Sequence, residues 1–331
     1  MKNWLKLPIQ RQIDLFNQLN ARTGIPHQAI EKDAWVTLAL RMIFTSKISE
    51  YLVFKGGTSL SKVYKLIERF SEDIDLAIDR KYLGFEGDLT KGEIRRLRRK
   101  SHDFTSSEMV EILRTQLDNH EIDTDLYEII VDNTNITDQD PEIVKINYKS
   151  VFEVLPYLTQ NVTIEIGARS LIEPFEQRKI QSIIRENYPD MDFSEDEFIV
   201  NTVIPEKTFL EKLILLHEEF QKSQEKVRYQ RMSRHLYDIG QIMNTDYGKR
   251  ALNNTNLFNE IVQHRKKFTP MKNVAYEKLT LQNLKIIPHG EFLELYRKDY
   301  IEMQGTMIYR KSLGFDSLIE QLKLIGKTPS R

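Results

Sequence analysis

Two neighbouring blocks of the chain hold residue types that could do chemistry. One is a glycine turn, Lys55-Gly56-Gly57-Thr58-Ser59-Leu60-Ser61-Lys62; the other, Arg69-Phe70-Ser71-Glu72-Asp73-Ile74-Asp75-Leu76, carries a carboxylate pair. Adjacent glycines let backbone N–H groups approach a phosphate, and a helix starting at Thr58 or Ser59 would aim its positive end there. Asp73 and Asp75 alternate with apolar Ile74 and Leu76, so on a strand both carboxylates share one face. Two such carboxylates, with no Lys or Arg between them, repel unless a divalent cation fills the gap. Hard oxygen ligands suit magnesium, which then carries substrate phosphates. The pattern proposes phosphoryl or nucleotidyl transfer, with an NTP as substrate.

A lone Asp-x-Asp has little specificity, because solvated strand edges often carry such pairs. Preceded by Gly-Gly-Thr and a helix, it resembles the signature of the DNA polymerase β nucleotidyltransferase superfamily. A two-metal site with ions ~4 Å apart needs a third carboxylate on a neighbouring strand. Glu165 is the candidate: Ile164 and Ile166 flank it in a strand pattern, so its side chain lies opposite theirs, with that of Thr163. An exposed strand residue or an ion-pair partner of Arg169 is the alternative reading.

Three further segments carry charge in informative places. Phe209-Leu210-Glu211-Lys212-Leu213-Ile214-Leu215-Leu216 holds one lysine in an otherwise apolar stretch, suited either to an anion such as a triphosphate or to snorkelling beside Glu211. In Arg234-His235-Leu236-Tyr237-Asp238-Ile239, Arg234 and Asp238 are spaced for an intrahelical ion pair. The run from Lys91 to Lys100 is dense in arginine, a solvated helix face or a contact for a phosphate backbone. The seven histidines show no paired ligand spacing, and the P-loop, nucleophile-elbow and protein-kinase motifs are absent.

The elements that must position these residues follow from periodicity. Residues 1–50 read as helical, Tyr51 to Phe54 as a short strand, and Leu60, Val63, Tyr64 and Ile67 as the buried face of one helix. Ile74 to Ile78 is the next strand, and residues 101–120 form another helix. Strand patterns follow at Tyr127–Val131, Ile143–Tyr148 and Val162–Ile166, and helical pattern resumes after Pro205. A polar stretch around residues 190–196 marks a transition. The expected fold is α+β: a catalytic domain of mixed sheet flanked by helices over 1–195, then a mostly helical domain over 196–331 that completes an active-site cleft.

Composition fits a globular protein: 331 residues, 40% hydrophobic, 29% charged, net charge −1 and no cysteine. Near-neutrality argues against indiscriminate coating of nucleic acid. No apolar run approaches a membrane span, and Met1-Lys2-Asn3-Trp4 opens no signal peptide, so a cytoplasmic location and no membrane partner are expected.

Taken together, the residues resemble the AbiEii/AbiGii toxin family of nucleotidyltransferases, bacterial proteins of abortive-infection (phage-defence) and type IV toxin–antitoxin systems. The resemblance is strongest over Leu52 to Ile78. It continues through Thr163-Ile164-Glu165-Ile166, Glu211-Lys212-Leu213 and Arg234-His235-Leu236-Tyr237-Asp238 to Asp299-Tyr300-Ile301-Glu302-Met303. It implies that Gly56, Gly57 and Thr58, with Ser59 and Lys62, form the nucleotide-phosphate turn. Asp73, Asp75 and Glu165 would bind two magnesium ions, and Lys212 and Asp238 would be catalytic residues of the helical half. Many members read Arg-Asp where this chain has Arg234-His235. The implied activity is transfer of a nucleoside monophosphate from an NTP to RNA, the 3′ end of tRNA in known relatives, restrained by an antitoxin encoded nearby. Transfer to a protein hydroxyl (AMPylation), or a non-catalytic nucleotide-binding regulator, are the competing functions.

Overall fold

The computed structural model describes residues 3–71, 73–132, 141–153 and 159–325; Met1, Lys2 and Glu72 of the segments quoted above lie outside the described residues. The chain forms α1 (Ile9–Thr23), α2 (His27–Phe44), β1 (Leu52–Lys55), α3 (Gly56–Lys62), β2 (Asp73–Ile78), α4 (Lys91–Asp103), α5 (Val110–Asn119), β3 (Tyr127–Val131), β4 (Glu142–Tyr148), β5 (Asn161–Gly167), β6 (Phe175–Ile180), α6 (Ile183–Asn187) and β7 (Phe198–Val203). The helices α7 (Pro205–Phe220), α8 (Ser233–Ile242), α9 (Asp246–Asn253), α10 (Thr255–Phe268), α11 (Glu291–Thr306) and α12 (Phe315–Leu322) follow. Two compact units result. The first comprises Met1–Val63 and Ser71–Thr202, the second Tyr64–Phe70 and Val203–Arg331.

The first unit is built on a seven-stranded mixed sheet of order β3-β4-β5-β2-β1-β7-β6. β2 runs antiparallel to β1 and parallel to β5, while β4 is antiparallel to both of its neighbours. Alternation assigns the faces. Ile74, Leu76 and Ile78 of β2, Val162, Ile164 and Ile166 of β5, and Val144 and Ile146 of β4 are buried. Each such side chain contributes about 1.5–3 kcal/mol relative to an exposed one. α2 covers this face, with Trp35 stacked on Tyr148 at 5.0 Å between ring centroids. On the other face the same strands present Asp73, Asp75, Ile143, Lys145, Thr163 and Glu165, all half-buried.

Three local outcomes differ from the periodicity. The single helix expected through Ile67 stops at Lys62, because Lys65 adopts φ 53°, a left-handed conformation that ends helices. Two strands, β6 and β7, lie where no strand pattern was read. β6 is an edge strand whose sequence Phe-Glu-Gln-Arg-Lys-Ile buries only Ile180, so it carries no alternation to detect. The polar stretch near residue 195 is partly interior: Ser194 and Glu195 are buried, and Glu195 lies 3.4 Å from Arg41. Burial pushes the Glu195 carboxyl up to about 7 against the opposing pull of Arg41.

The second unit is helical. Pro205 opens α7, a helix buried on most of its surface, where a missing N–H costs nothing. α8, α9 and α10 pack against it, and α11 and α12 pack on α8. No helix among the described residues is long and apolar enough to cross a membrane.

Candidate active site

β1, α3 and β2 place the glycine turn against the carboxylates. α3 begins at Gly56 itself, two residues before the expected start, so the glycine pair forms its first turn. Gly56 adopts φ 78°, a region that favours glycine. A Cβ there would also stand 1.9 Å from Oδ2 of Asp75. Two independent constraints therefore exclude a side chain at this position.

The polar side chains of the turn face inward. Thr58 Oγ1 donates to the carbonyl oxygen of Asp73 at 2.5 Å and lies 3.0 Å from Ser71 Oγ, which pins the start of β2. Ser59 Oγ donates to the Gly56 carbonyl at 3.0 Å. Lys62 Nζ pairs with Asp33 at 2.5 Å, and the other oxygen of Asp33 accepts the Ile183 N–H at 2.9 Å. Gly57 is buried. Of the expected nucleotide-binding set, the structure thus gives Thr58, Ser59 and Lys62 partners within the unit.

Sheet register sets the carboxylates in a row. β2 pairs Asp75 with Glu165 of β5 and Asp73 with Thr163. Adjacent strands lie about 4.8 Å apart, and residues two apart on one strand about 6.6 Å. Asp75 and Glu165 are therefore direct neighbours on one face, with Asp73 one step along. The donors are all oxygen, as magnesium prefers. Among the described residues no three His, Asp or Glu side chains, as they stand, close around a common point that could hold an ion. Register also shows what periodicity missed: Lys55, the last residue of β1, is the direct partner of Asp75.

In the helical unit, Lys212 of α7 and Asp238 of α8 meet at 2.9 Å, both buried. Asp238 also takes a bidentate contact from Arg69, at 2.7 Å and 2.8 Å. It pairs outside its own helix, where an i,i+4 contact from Arg234 was the simpler expectation. Burial alone would raise the Asp238 carboxyl, but Arg69 and Lys212 hold it well below the usual carboxylate range. Burial lowers the Lys212 ammonium, helped by Arg69 and Arg234 and opposed by Asp238. His235, with Nδ1 3.4 Å from Lys212 Nζ, is held neutral first by burial and then by Lys212 and Arg234.

Arg69 opens the carboxylate block, and the partner that gives it a role lies 169 residues away in sequence. It belongs to a strap, Tyr64–Phe70, that the helical unit grips along its length. Tyr237 Oη accepts the Glu68 N–H at 3.2 Å, and the Phe70 N–H donates to the Met307 carbonyl at 2.8 Å. Arg69 forms an antiparallel bridge with Ile308.

Comparison with known proteins supplies the family. The family described as nucleotidyl transferase AbiEii toxin, type IV toxin–antitoxin system, matches residues 38–321, a span that contains every candidate residue above. No curated protein sequence matches the chain. Among solved structures, the nucleotidyltransferase toxin MenT4 from Mycobacterium tuberculosis H37Rv is similar at 13% identity and a TM-score of 0.46, over 94% of this chain and 93% of that chain. With the family match covering most of its length, the chain belongs to the AbiEii family of nucleotidyltransferase toxins of type IV toxin–antitoxin systems.

Proposed function

We propose that the enzyme is magnesium-dependent and transfers a nucleoside monophosphate from an NTP to RNA, with the 3′ end of tRNA as acceptor. The observation that carries the metal chemistry is the register that sets Asp75 beside Glu165 with Asp73 one step along the same face. These three residues would hold two magnesium ions. When bound, the ions lower the pKa of the attacking hydroxyl and neutralise charge on the transferring group. In the reaction the acceptor oxygen bonds to the α-phosphorus while the bond to the β-phosphate oxygen breaks, and pyrophosphate leaves with the electron pair.

The chain's own contribution is positioning and charge. Gly56 and Gly57 keep side chains away from the phosphates, and Thr58 fixes the backbone of Asp73. For Lys212 and Asp238 we propose the roles the family resemblance gives them, a catalytic-site lysine and a catalytic aspartate of the last motif. A cognate antitoxin encoded nearby is the proposed partner that restrains the activity.

An RNA acceptor is favoured over a protein hydroxyl by the surface of α4. This helix carries Lys91, Arg95, Arg96, Arg98, Arg99 and Lys100 against Glu93 and Asp103, on a chain of net charge −1. Lys91–Arg95, Arg95–Arg99 and Arg96–Lys100 are like-charge i,i+4 pairs of exposed residues. Each destabilises the helix by about 0.2–0.5 kcal/mol, a repulsion that a polyanion would offset. The double substitution Arg96→Glu with Arg99→Glu is expected to weaken RNA binding about tenfold or more and to flatten its salt dependence, with KM for NTP unchanged. Fluorescence anisotropy with labelled RNA across a salt series checks this; an unaltered affinity and slope would remove α4 from the interface.

The function itself is tested by incubating the protein with each labelled NTP, total RNA and cell lysate. Label in a tRNA-sized band is expected. Label in protein alone would replace the RNA reading with AMPylation, and binding of NTP with no transfer to either would make the chain a regulator.

A further inference from the structure

We propose that Lys55 binds the triphosphate of the nucleotide, presenting its ammonium to the phosphates beside Asp75 and Glu165; the proposal rests on the nucleotidyl transfer proposed above. The register is the first observation. Lys55 is the antiparallel partner of Asp75, and Asp75 is in turn the partner of Glu165, so the three side chains leave one face of the sheet in a single row. Opposed residues of this kind have Cβ atoms about 4.5–5.5 Å apart, within reach of a lysine stem.

The second observation is what Lys55 does not do. Among the described residues its side chain makes neither a hydrogen bond nor an ion pair, although Lys55 is half-buried and a carboxylate stands next to it. Lysines placed comparably in this protein are engaged: Lys62 with Asp33 at 2.5 Å, Lys145 with Asp132 at 2.7 Å, and Lys212 with Asp238 at 2.9 Å. A lysine whose stem is partly covered and whose ammonium has no partner in the fold is available to an anion that arrives with substrate.

The third observation concerns space and charge. Gly56, the residue next to Lys55, has no side chain, and the carboxylate of Asp75 takes the place a Cβ would fill, so the turn and the row lie in close contact. The row with Asp73 carries three carboxylates. An NTP adds about four negative charges and two divalent ions return four, leaving a negative excess that one lysine reduces. Lysine suits this task as a compact point charge on a flexible stem. Lys55 is therefore a substrate-binding residue, distinct from the carboxylates that would hold the metal.

The test measures binding by isothermal titration of the full chain with inorganic pyrophosphate and with each NTP, in magnesium, for wild type, Lys55→Met and Lys55→Arg. Loss of a charged hydrogen bond predicts affinity about 10- to 100-fold weaker for Lys55→Met toward both probes. Lys55→Arg should recover most of it, and the affinity for an unphosphorylated nucleoside should not change. Folding is checked by circular dichroism; a Lys55→Met protein that fails to fold is replaced by Lys55→Gln. Wild-type affinity in the folded neutral variants, or equal losses in the methionine and arginine variants, would overturn the assignment while leaving nucleotidyl transfer intact. A wild type that binds no nucleotide would overturn both.

Discussion

Asp75→Asn is expected to lower nucleotidyl transfer roughly a thousandfold or more, because charge stabilisation by a metal is worth several kcal/mol and each 1.4 kcal/mol is tenfold in rate. The amide keeps the shape of the side chain and removes the charge. It also removes a like charge directly opposite Glu165, a pairing that is mildly destabilising across strands. Lys55 stands opposite Asp75 on its other side, so one repulsion and one attraction are lost together, and loss of activity should come with nearly unchanged stability when no metal is added. That combination separates loss of a metal ligand from loss of the fold. Single-turnover transfer and thermal melting, run with and without magnesium, provide both readouts. Transfer within tenfold of wild type would sink the metal role of Asp75, and Asp73→Asn, which faces Thr163 on β5, is expected to lose transfer alike.

The second large effect lies in the helical unit and concerns stability. Asp238→Asn removes the carboxylate that Arg69 and Lys212 share, and leaves two cations in a buried site. Breaking a buried pair from one side typically costs about 3–5 kcal/mol, since the remaining charge keeps its desolvation penalty. Chemical denaturation should show a lower midpoint, and hydrogen exchange should rise in Tyr64–Phe70, which loses its bidentate anchor. Substituting Arg69→Met as well should recover part of the loss, because one uncompensated cation disappears with it. A single variant within 1 kcal/mol of wild type, a small effect on the usual scale, would contradict this account. The pH dependence has a definite sign. The folded-state pKa of Asp238 lies below its ordinary value of 3.8, so its contribution is complete above that pH and is lost only as pH falls further.

Much of the carboxylate face was legible because strands write their geometry with period two. Asp73, Asp75 and Glu165 each alternate with buried aliphatic residues, and the two strands prove to be neighbours in register. What stayed hidden depended on pairing between distant segments. Lys55 looks like the residue before a turn until β1 is laid against β2. Lys62, at the end of the glycine block, is expected to bind phosphate, and its ion pair with Asp33 of α2 could not be read from either segment alone. The inward bonds of Thr58 and Ser59 likewise belong to the folded turn and leave no trace in residue type. β6 was illegible for a different reason: an edge strand needs no buried face, and its polar sequence reads as loop.

The strap has a consequence for the order in which the protein can be made. Arg69 leaves the ribosome 169 residues before Asp238 does, about 8 to 34 s earlier at ordinary synthesis rates. Its other partners, around Met307 and Ile308, come later still. Throughout that interval the link between the glycine turn and the carboxylate strand has no anchor. A nascent chain therefore carries Tyr64–Phe70 untethered while β1, β2 and β5 can already pair, and a chain released early by premature termination never gains the partners that hold Arg69. The anchor of the strap arrives only with the last third of the polypeptide.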